Sequence, residues 1–580
     1  MRIIKNIRNK SLFATLLVYI LTSSTTVFAQ QIFSNNKYPL TYFRQPLDIT
    51  PPALAGSFGE IRGNHFHSGI DFRTNQREGY PVYAVADGYV SRLRVQNSGF
   101  GQALYINHPN GFTSVYGHVQ RFAPKIATIV KNLEYEKKSF EIDEFPNETL
   151  IPVRKGEVIA WSGNRGSSGG PHLHFEIRDS KTEETINPQF FGIDIPDNIP
   201  PVIYSLYAYK LNGKPFTENT PKQAIAISGG GGGVYKANAP VSLVGEIGFG
   251  IVTTDRHSGL SGLNGVYSIQ LELDGKLVYT SALERFAFED SKAINSHIDY
   301  PTFLNTKRSI QKSFVEPGNP LSIYSNLVNS GKINFIDGEI HQLKYIITDS
   351  KGNASTLSFS VHSGASAPAV TSIPAGVNFS YNKLNEFNND EIKVVFLMGT
   401  LYNDLNFSYK KMPKPAGNAW SNIHQIHNRY TPLHTGFELS IRADNLPEEL
   451  REKALIVNTN GSSQGGSFVN GFIKANPRNF GSFYIAVDTI APRIIPTNIS
   501  EGKNMAGLSK IFFKISDNLS GLKSFNGYID GKWVLMEFDA KTATLWHSFD
   551  ERTSSGKHTL ELVVDDTKNN IKRYSVSFFR

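Results

Sequence analysis

Two imidazoles stand two residues apart in Pro171-His172-Leu173-His174-Phe175-Glu176-Ile177-Arg178, and another pairs with a carboxylate in His67-Ser68-Gly69-Ile70-Asp71. The first run alternates strictly. As a strand it sends Leu173, Phe175 and Ile177 to one face and His172, His174, Glu176 and Arg178 to the other, so two ring nitrogens project from one rigid element. Gly69 lets the backbone bend close to whatever His67 and Asp71 hold. Two histidines and an aspartate make three nitrogen and oxygen donors without sulfur, a set that suits zinc with a fourth position open to water. Histidines that only cap loops or fill a half-buried face account for the same pattern equally well. The surrounding sequence has to decide.

The elements that must position these residues read as strands. From residue 30 to about 197, short runs rich in Val, Ile, Tyr and Phe alternate with Gly, Pro and Asn turns, and helical periodicity is nearly absent. Residues 82–86 and 89–95 flank Asp87-Gly88, while 103–107 and 112–116 flank Pro109-Asn110-Gly111, and both pairs predict hairpins. Residues 122–152 break this rhythm with a charged stretch that includes Glu134-Tyr135-Glu136-Lys137-Lys138. They read as an insertion holding a short helix or an extended loop. Anchored beside His118 at one end and before the Gly-rich turn at the other, the insertion either controls access to the cleft or is a tolerated surface excursion.

With these motifs in view, residues 55–180 resemble the lysostaphin-type, or LytM-like, family of zinc peptidases that cut peptide cross-links in peptidoglycan. The resemblance rests on His67-x-x-x-Asp71, then Tyr116-Gly117-His118, then a Gly-rich turn from Gly163 leading into Pro171-His172-Leu173-His174-Phe175-Glu176. The order is the family's. Gly79-Tyr80-Pro81-Val82-Tyr83-Ala84 with Asp87-Gly88, and Lys155-Gly156-Glu157-Val158-Ile159-Ala160, look like its core hairpins. The resemblance implies that His67, Asp71 and His174 are zinc ligands and that His118 and His172 are the two catalytic histidines, one accepting a proton and the other supporting the oxyanion. All five positions are filled, as in an active enzyme. Tyr116 either donates to the same oxyanion or simply packs. The departures are the insertion, Arg165 in the Gly-rich turn, and an additional His65, which reads as a partly exposed residue supporting the site or lying on the surface.

The whole chain has 580 residues and room for three to five domains at roughly 100–200 residues each. Apolar residues at 40%, aromatics at 12% and charged residues at 19% exclude disordered and collagen-like classes. Of the net charge of +8, Arg2, Lys5, Arg8 and Lys10 supply four, leaving 8 − 4 = +4, so a nucleic-acid footprint is not indicated. These residues precede an apolar run at 12–21 and Val27-Phe28-Ala29, the pattern of a cleavable signal over residues 1–29. No later segment is long enough to span a membrane. The expected location is therefore the periplasm or cell envelope. The absence of cysteine removes disulfides and thiolate ligands.

Beyond residue 198 an internal repeat appears. Asp197-x-Ile199-x-Pro201-x-Ile203 matches Asp488-x-Ile490-x-Pro492-x-Ile494, Asp274-Gly275-Lys276 matches Asp530-Gly531-Lys532, and His341 precedes Asp349 as His558 precedes Asp566. Each copy reads as a β-sandwich resembling immunoglobulin-like domains. The expected organisation is all-β: a small antiparallel metallopeptidase domain at 30–198, a sandwich copy at 199–364, an intermediate β domain at 365–487 and a second copy at 488–580. Turn aspartates such as Asp255, Asp349, Asp517 and Asp566 could bind calcium, but ordinary Asx turns account for them. His424, His427 and His434 read as surface residues. The expected function is a secreted Zn2+-dependent endopeptidase acting on peptidoglycan, with the β domains contacting the wall or envelope proteins. The alternative is a non-catalytic wall-binding scaffold or an activator of other murein hydrolases.

Overall fold

Residues 37–258, 262–365, 376–443 and 445–580 are described by the computed structural model. The expected signal lies outside them. Strands dominate the first part of the chain: β1 (Leu54–Gly56), β2 (Ile70–Arg73), β3 (Pro81–Tyr83), β4 (Gly88–Val95), β5 (Gln102–Asn107), β6 (Phe112–Gly117) and β7 (Arg121–Phe122). A helix, α1 (Pro124–Lys137), is followed by β8 (Ile142–Glu144), β9 (Pro152–Val153), β10 (Val158–Trp161), β11 (His172–Asp179) and β12 (Thr185–Ile186). The large sheet runs β1-β2-β11-β6-β5-β4-β8, with β12 added to β11 and β9 to β4, and a smaller sheet runs β3-β10-β7. Both contribute to one core, in which Ile70, Val82, Leu104, Tyr116, Ile159, Leu173, Phe175 and Ile177 are wholly buried. Each such side chain contributes roughly 1.5–3 kcal/mol by leaving water.

The hairpin around Pro109-Asn110-Gly111 forms as predicted, with Leu104 opposite Tyr116 and Asn107 opposite Thr113. The one around Asp87-Gly88 does not. β3 pairs with β10 in the small sheet, whereas β4 pairs with β5 in the large one. Val82, Ala84, Val85 and Ala86 are all buried, so the chain crosses between two sheets and does not fold back on itself. Alternation marks a strand but not its partner.

Residues 122–152 contain a 14-residue helix. Pro124 opens it, where its missing N–H costs nothing, and Ile126, Val130 and Glu134 form the buried stripe. Lys138 closes it in the left-handed region at φ 49°, its N–H donating to the carbonyls of Glu134 and Tyr135. The segment then rejoins the large sheet through β8 on β4, at the edge opposite β1 and β2. Its strands are thus woven into the sheet.

The rest of the chain is built from further β-sheet domains, as the all-β reading predicts. A five- and an eight-stranded sheet share a core that includes Leu206, Phe249, Leu271, Tyr345 and Leu357. Val394, Phe396, Leu439, Ile456 and Ile485 form a second core, and Ile511, Phe513, Leu545, Leu562 and Val564 a third. Helices at Ile294–His297 and Tyr300–Thr306 interrupt the first of these domains. The repeat is visible at single-atom level. Asp274 and Asp530 have φ of 49° and 51°, followed by Gly275 and Gly531 at 77° and 76°, the geometry of two-residue hairpin turns. Asp349 Oδ1 accepts from the Lys351 and Asn353 N–H groups, and Asp566 Oδ1 from those of Lys568 and Asn570.

Candidate metal centre

β2 and β11 are antiparallel neighbours, with Asp71 directly opposite His174 and Ile70 opposite Phe175. The pleat that buries Phe175 in the core therefore aims His174 at Asp71. His67 enters from the preceding loop, tied by hydrogen bonds of 2.9 Å from its N–H to the Glu60 carbonyl and 2.8 Å from the Gly59 N–H to its own carbonyl. His67 Nε2 lies 3.1 Å from both His174 Nδ1 and Asp71 Oδ1, and His174 Nδ1 lies 2.9 Å from Asp71 Oδ1. All three side chains are buried. Gly69 is needed for close approach: a Cβ there would sit 2.3 Å from the Phe175 carbonyl oxygen and 3.0 Å from His174 Cε1.

The outer nitrogens define the tautomers. His67 Nδ1–H donates to the Ser57 carbonyl at 2.7 Å, and His174 Nε2–H donates to Glu176 Oε1 at 2.9 Å. In the neutral form that a metal ligand requires, each ring turns its lone pair inward, toward an Asp71 oxygen that is itself an acceptor. Three buried acceptors converge with no donor among those lone pairs, an arrangement that a cation completes. Tetrahedral zinc with bonds of about 2.0–2.1 Å would separate its ligand atoms by about 3.3–3.4 Å, close to the observed triangle. The residues fit such an ion. Glu176 is wholly buried and accepts from Arg178 Nε at 2.6 Å. Burial pushes its carboxyl up, but the Arg178 charge and His174 outweigh this and hold it at about 2. Burial works against a charged His174, but hydrogen bonds to the Asp71 and Glu176 carboxylates raise it to about 9, so the ring gives up its inward proton only where a cation takes that place. For Asp71 the burial penalty is overcome by His67, His172 and His174, leaving it well below the usual carboxylate range. Arg62 Nη2 holds Asp71 Oδ2 at 3.2 Å and leaves Oδ1 to the triangle.

His118 and His172 lie beside this group, their ring centroids 4.8 Å apart. His118 follows β6 with φ at 60°, a strained position for a residue with a side chain. Its Nδ1–H donates to the Arg165 carbonyl at 2.8 Å. Burial, with the charges of His174 and His172, pushes it down to about 3, so the ring is neutral and Nε2 carries its lone pair. His172 opens β11, donates from Nδ1 to the Gly170 carbonyl at 2.8 Å, and places Nε2 3.4 Å from Asp71 Oδ1. Both rings are thus held by carbonyls of the Gly-rich turn.

Other sequence expectations resolve differently. Tyr116 is wholly buried and accepts from the Val85 N–H and the Ser114 hydroxyl, each at 3.0 Å, so it packs and does not face the histidines. His65 is exposed and outside the donor group. His424 and His427 are corrected from surface to buried: His424 bonds Tyr409 Oη at 3.0 Å, and His427 packs on Phe480 at 5.0 Å. Among the described residues, Asp197, Asp255 and His257 form another compact group and Asp488, Asp517 and Asp566 a third. Several of their carboxylates are engaged in Asx-type turns. Phe100 was missed: its ring stacks on His174 at 4.9 Å and meets His118 edge-on at 6.2 Å. The available signal was glycine spacing, because Gly101 and Gly166 pack backbone to backbone, where a Cβ on Gly166 would lie 2.3 Å from the Gly101 nitrogen.

Comparison with known proteins bears on this geometry. Residues 65–134 match the model of Peptidase family M23, and residues 377–488 match that of a Zu5-like domain. The chain is 31% identical over 131 residues to the DD-carboxypeptidase/endopeptidase Mpg of Neisseria meningitidis serogroup B, covering 23% of this chain and 24% of that protein. It is 36% identical over 111 residues to an uncharacterized metalloprotease of Haemophilus influenzae, covering 19% of this chain and 18% of the relative. The catalytic domain of lysostaphin from Staphylococcus simulans aligns at 22% identity and a TM-score of 0.18, over 24% of this chain and 90% of that structure. The chain thus spans about a quarter or less of the length of these curated relatives. The all-β sheet and the family match place residues 65–134 in a peptidase-type domain. More narrowly, the chain carries a peptidase family M23 domain.

Proposed function

We propose that the protein is an exported zinc endopeptidase that hydrolyses peptide bonds in the stem peptides or cross-links of peptidoglycan. The observation that carries this reading is the triangle of inward lone pairs from His67, His174 and Asp71, beside two histidines anchored through Nδ1. In it, His67, Asp71 and His174 hold the zinc. Bound zinc would act as a Lewis acid, bringing water toward deprotonation near neutral pH. The chain's own residues do the rest. Of His118 and His172, one accepts a proton through Nε2 and returns it to the leaving amine, while the other donates to the developing oxyanion. Their Nδ1–H bonds to carbonyl oxygens leave Nε2 of each ring to handle the proton. The basic, apolar leader supports export to the periplasm or envelope, and no described helix is long and apolar enough to cross a membrane.

Purified protein should release new amino termini from murein sacculi, lose this activity to a chelator and regain it with zinc. Elemental analysis should find close to one zinc per chain. His67→Ala, Asp71→Ala and His174→Ala should each weaken zinc binding sharply, whereas His118→Ala and His172→Ala should keep zinc and lose turnover by roughly 10²-fold or more. Zinc loss in His118→Ala with retention in His67→Ala would reverse the assignment. The second reading, a wall-binding scaffold, draws on the β domains that fill residues 199–580. Tight sacculus binding with no cleavage across several wall types would select it.

A further inference from the structure

The last β domain reaches the Gly-rich turn of the peptidase domain through a hairpin, Glu537–Asp539 paired with Thr544–Ser548. Glu537 and Trp546 are directly opposite each other in it, and Lys541 sits at its tip. Glu537 Oε2 pairs with Arg165 Nη2 at 3.1 Å, while Glu537 Oε1 accepts from Trp546 Nε1 at 2.9 Å. The Arg165 guanidinium lies over the Trp546 ring, 4.9 Å from its centroid. Lys541 Nζ donates to the Asn164 carbonyl, to Asn164 Oδ1 at 3.3 Å and to the Ser168 carbonyl at 3.2 Å. One ammonium thus bridges residues 164 and 168 while a salt bridge fastens residue 165 between them. This is the segment whose Arg165 carbonyl holds His118 and whose Ser168 hydroxyl lies 3.2 Å from His172 Nδ1.

We infer that Lys541 and Glu537 are positioning residues of the active site: by pinning the Gly-rich turn, they hold the carbonyls that orient His118 and His172. The inference rests on the endopeptidase reading for its catalytic consequence, though not for the pinning itself. Neither residue touches the substrate in this account. The ligands His67, Asp71 and His174 lie on other elements, so the pin acts on proton transfer and leaves the metal alone. Because misplacing a reacting group by about 1 Å costs up to 10²-fold, loosening the turn should lower kcat by roughly tenfold with KM unchanged.

The test uses full-length Lys541→Ala, Lys541→Arg and Glu537→Gln, with exposed Lys557→Ala as a control. Zinc content, kcat and KM on a soluble cross-linked muropeptide, and amide exchange across residues 163–172 are measured for each. The expected result is faster exchange and lower kcat in Lys541→Ala and Glu537→Gln, unchanged zinc and KM, partial recovery in Lys541→Arg, and wild-type behaviour in Lys557→Ala. Unchanged kcat, or a raised KM at constant kcat, would overturn the positioning role. If the wild-type protein cleaves nothing, the endopeptidase reading fails, and exchange still decides the pin: equal protection in wild type and Lys541→Ala overturns it.

Discussion

The two repeat copies grip the peptidase domain with corresponding parts but by different physics. In each copy the contact follows the Asp-Gly-Lys hairpin, at Arg285–Phe286 after Asp274 and at Glu537 after Asp530. The first copy adds a strand: Phe286 pairs opposite Thr185 of β12 and its ring is wholly buried against Phe58 at 5.1 Å and Phe66 at 5.6 Å. Phe66 immediately precedes His67. The last copy instead uses Glu537, Lys541 and Trp546 on the turn that holds His118 and His172. The first copy therefore buttresses the metal-binding half of the site with a buried ring beside the Arg285 ion pairs to Asp179 and Glu184, the last copy the proton-handling half with charged hydrogen bonds. Distant domains divide the support of one small centre between them.

The largest effect should come from the apolar grip. Phe286→Ala removes a wholly buried ring and should destabilise the protein by about 3–5 kcal/mol, read as a shift in urea midpoint. Zinc affinity should fall with it, because the Phe66-His67 segment loses its backing. Lys541→Ala should do neither. Destabilisation below about 1 kcal/mol for Phe286→Ala, or zinc loss in Lys541→Ala, would erase the distinction between the copies.

An intermediate effect should separate them by salt. The last copy is also tied to α1 by Lys131 and Asp550 at 2.6 Å and by Tyr135 against Trp533 at 5.2 Å. Partly exposed ion pairs of this kind weaken as the screening length falls from about 10 Å at 0.1 M to about 3 Å at 1 M salt. Amide exchange over α1 and residues 163–172 should therefore rise several-fold between these conditions. Exchange around Phe66 should rise less, because burial of the Phe286 ring is not screened, although the neighbouring Arg285 ion pairs are. Equal responses on both sides would show that charge does not dominate the second grip.

Much of this molecule was legible in its sequence, for reasons that also explain what was not. Strict alternation through His172 to Arg178 fixed which face each residue takes, and local motifs led to the lysostaphin-type resemblance and the all-β class. Partners across space carry no such period. Val82 to Ala86 read as half of a hairpin because alternation does not reveal that the chain is changing sheets. His424 and His427 read as exposed because no acidic partner stood near them in sequence, yet the sheet buries them. Nothing local marks Lys541 as a neighbour of Asn164, 377 positions away. The Gly99-Phe100-Gly101 stretch came nearest to a readable signal, since glycines where two backbones touch have a physical cause that spacing can betray.

The smallest expected effect compares the copies at their shared turn. His341 Nδ1 lies 2.7 Å from Asp274 Oδ2, and His558 Nδ1 lies 2.7 Å from Asp530 Oδ2. In both, the bond to the aspartate raises the histidine above its ordinary value against a smaller burial penalty, and lowers the aspartate in turn. A raised histidine contributes stability that is complete below its unfolded value of about 6.5 and fades as pH climbs through the folded value. The lowered aspartate holds its contribution above about 3.9 and loses it as pH falls through its folded value, so each pair stabilises most between about pH 4 and 6.5. The copies differ at Nε2: His341 has a second carboxylate, Asp337 Oδ2 at 3.0 Å, whereas His558 donates to the Ser554 carbonyl at 2.8 Å. His341→Gln and His558→Gln keep a donor and remove the charge. Each should cost about 0.5 kcal/mol near pH 6 and almost nothing near pH 9, with the larger loss in His341→Gln. Urea unfolding of both variants at the two pH values measures this directly. A larger loss in His558→Gln, or a loss that grows with pH, would mean that the turns are alike in geometry but not in their electrostatics.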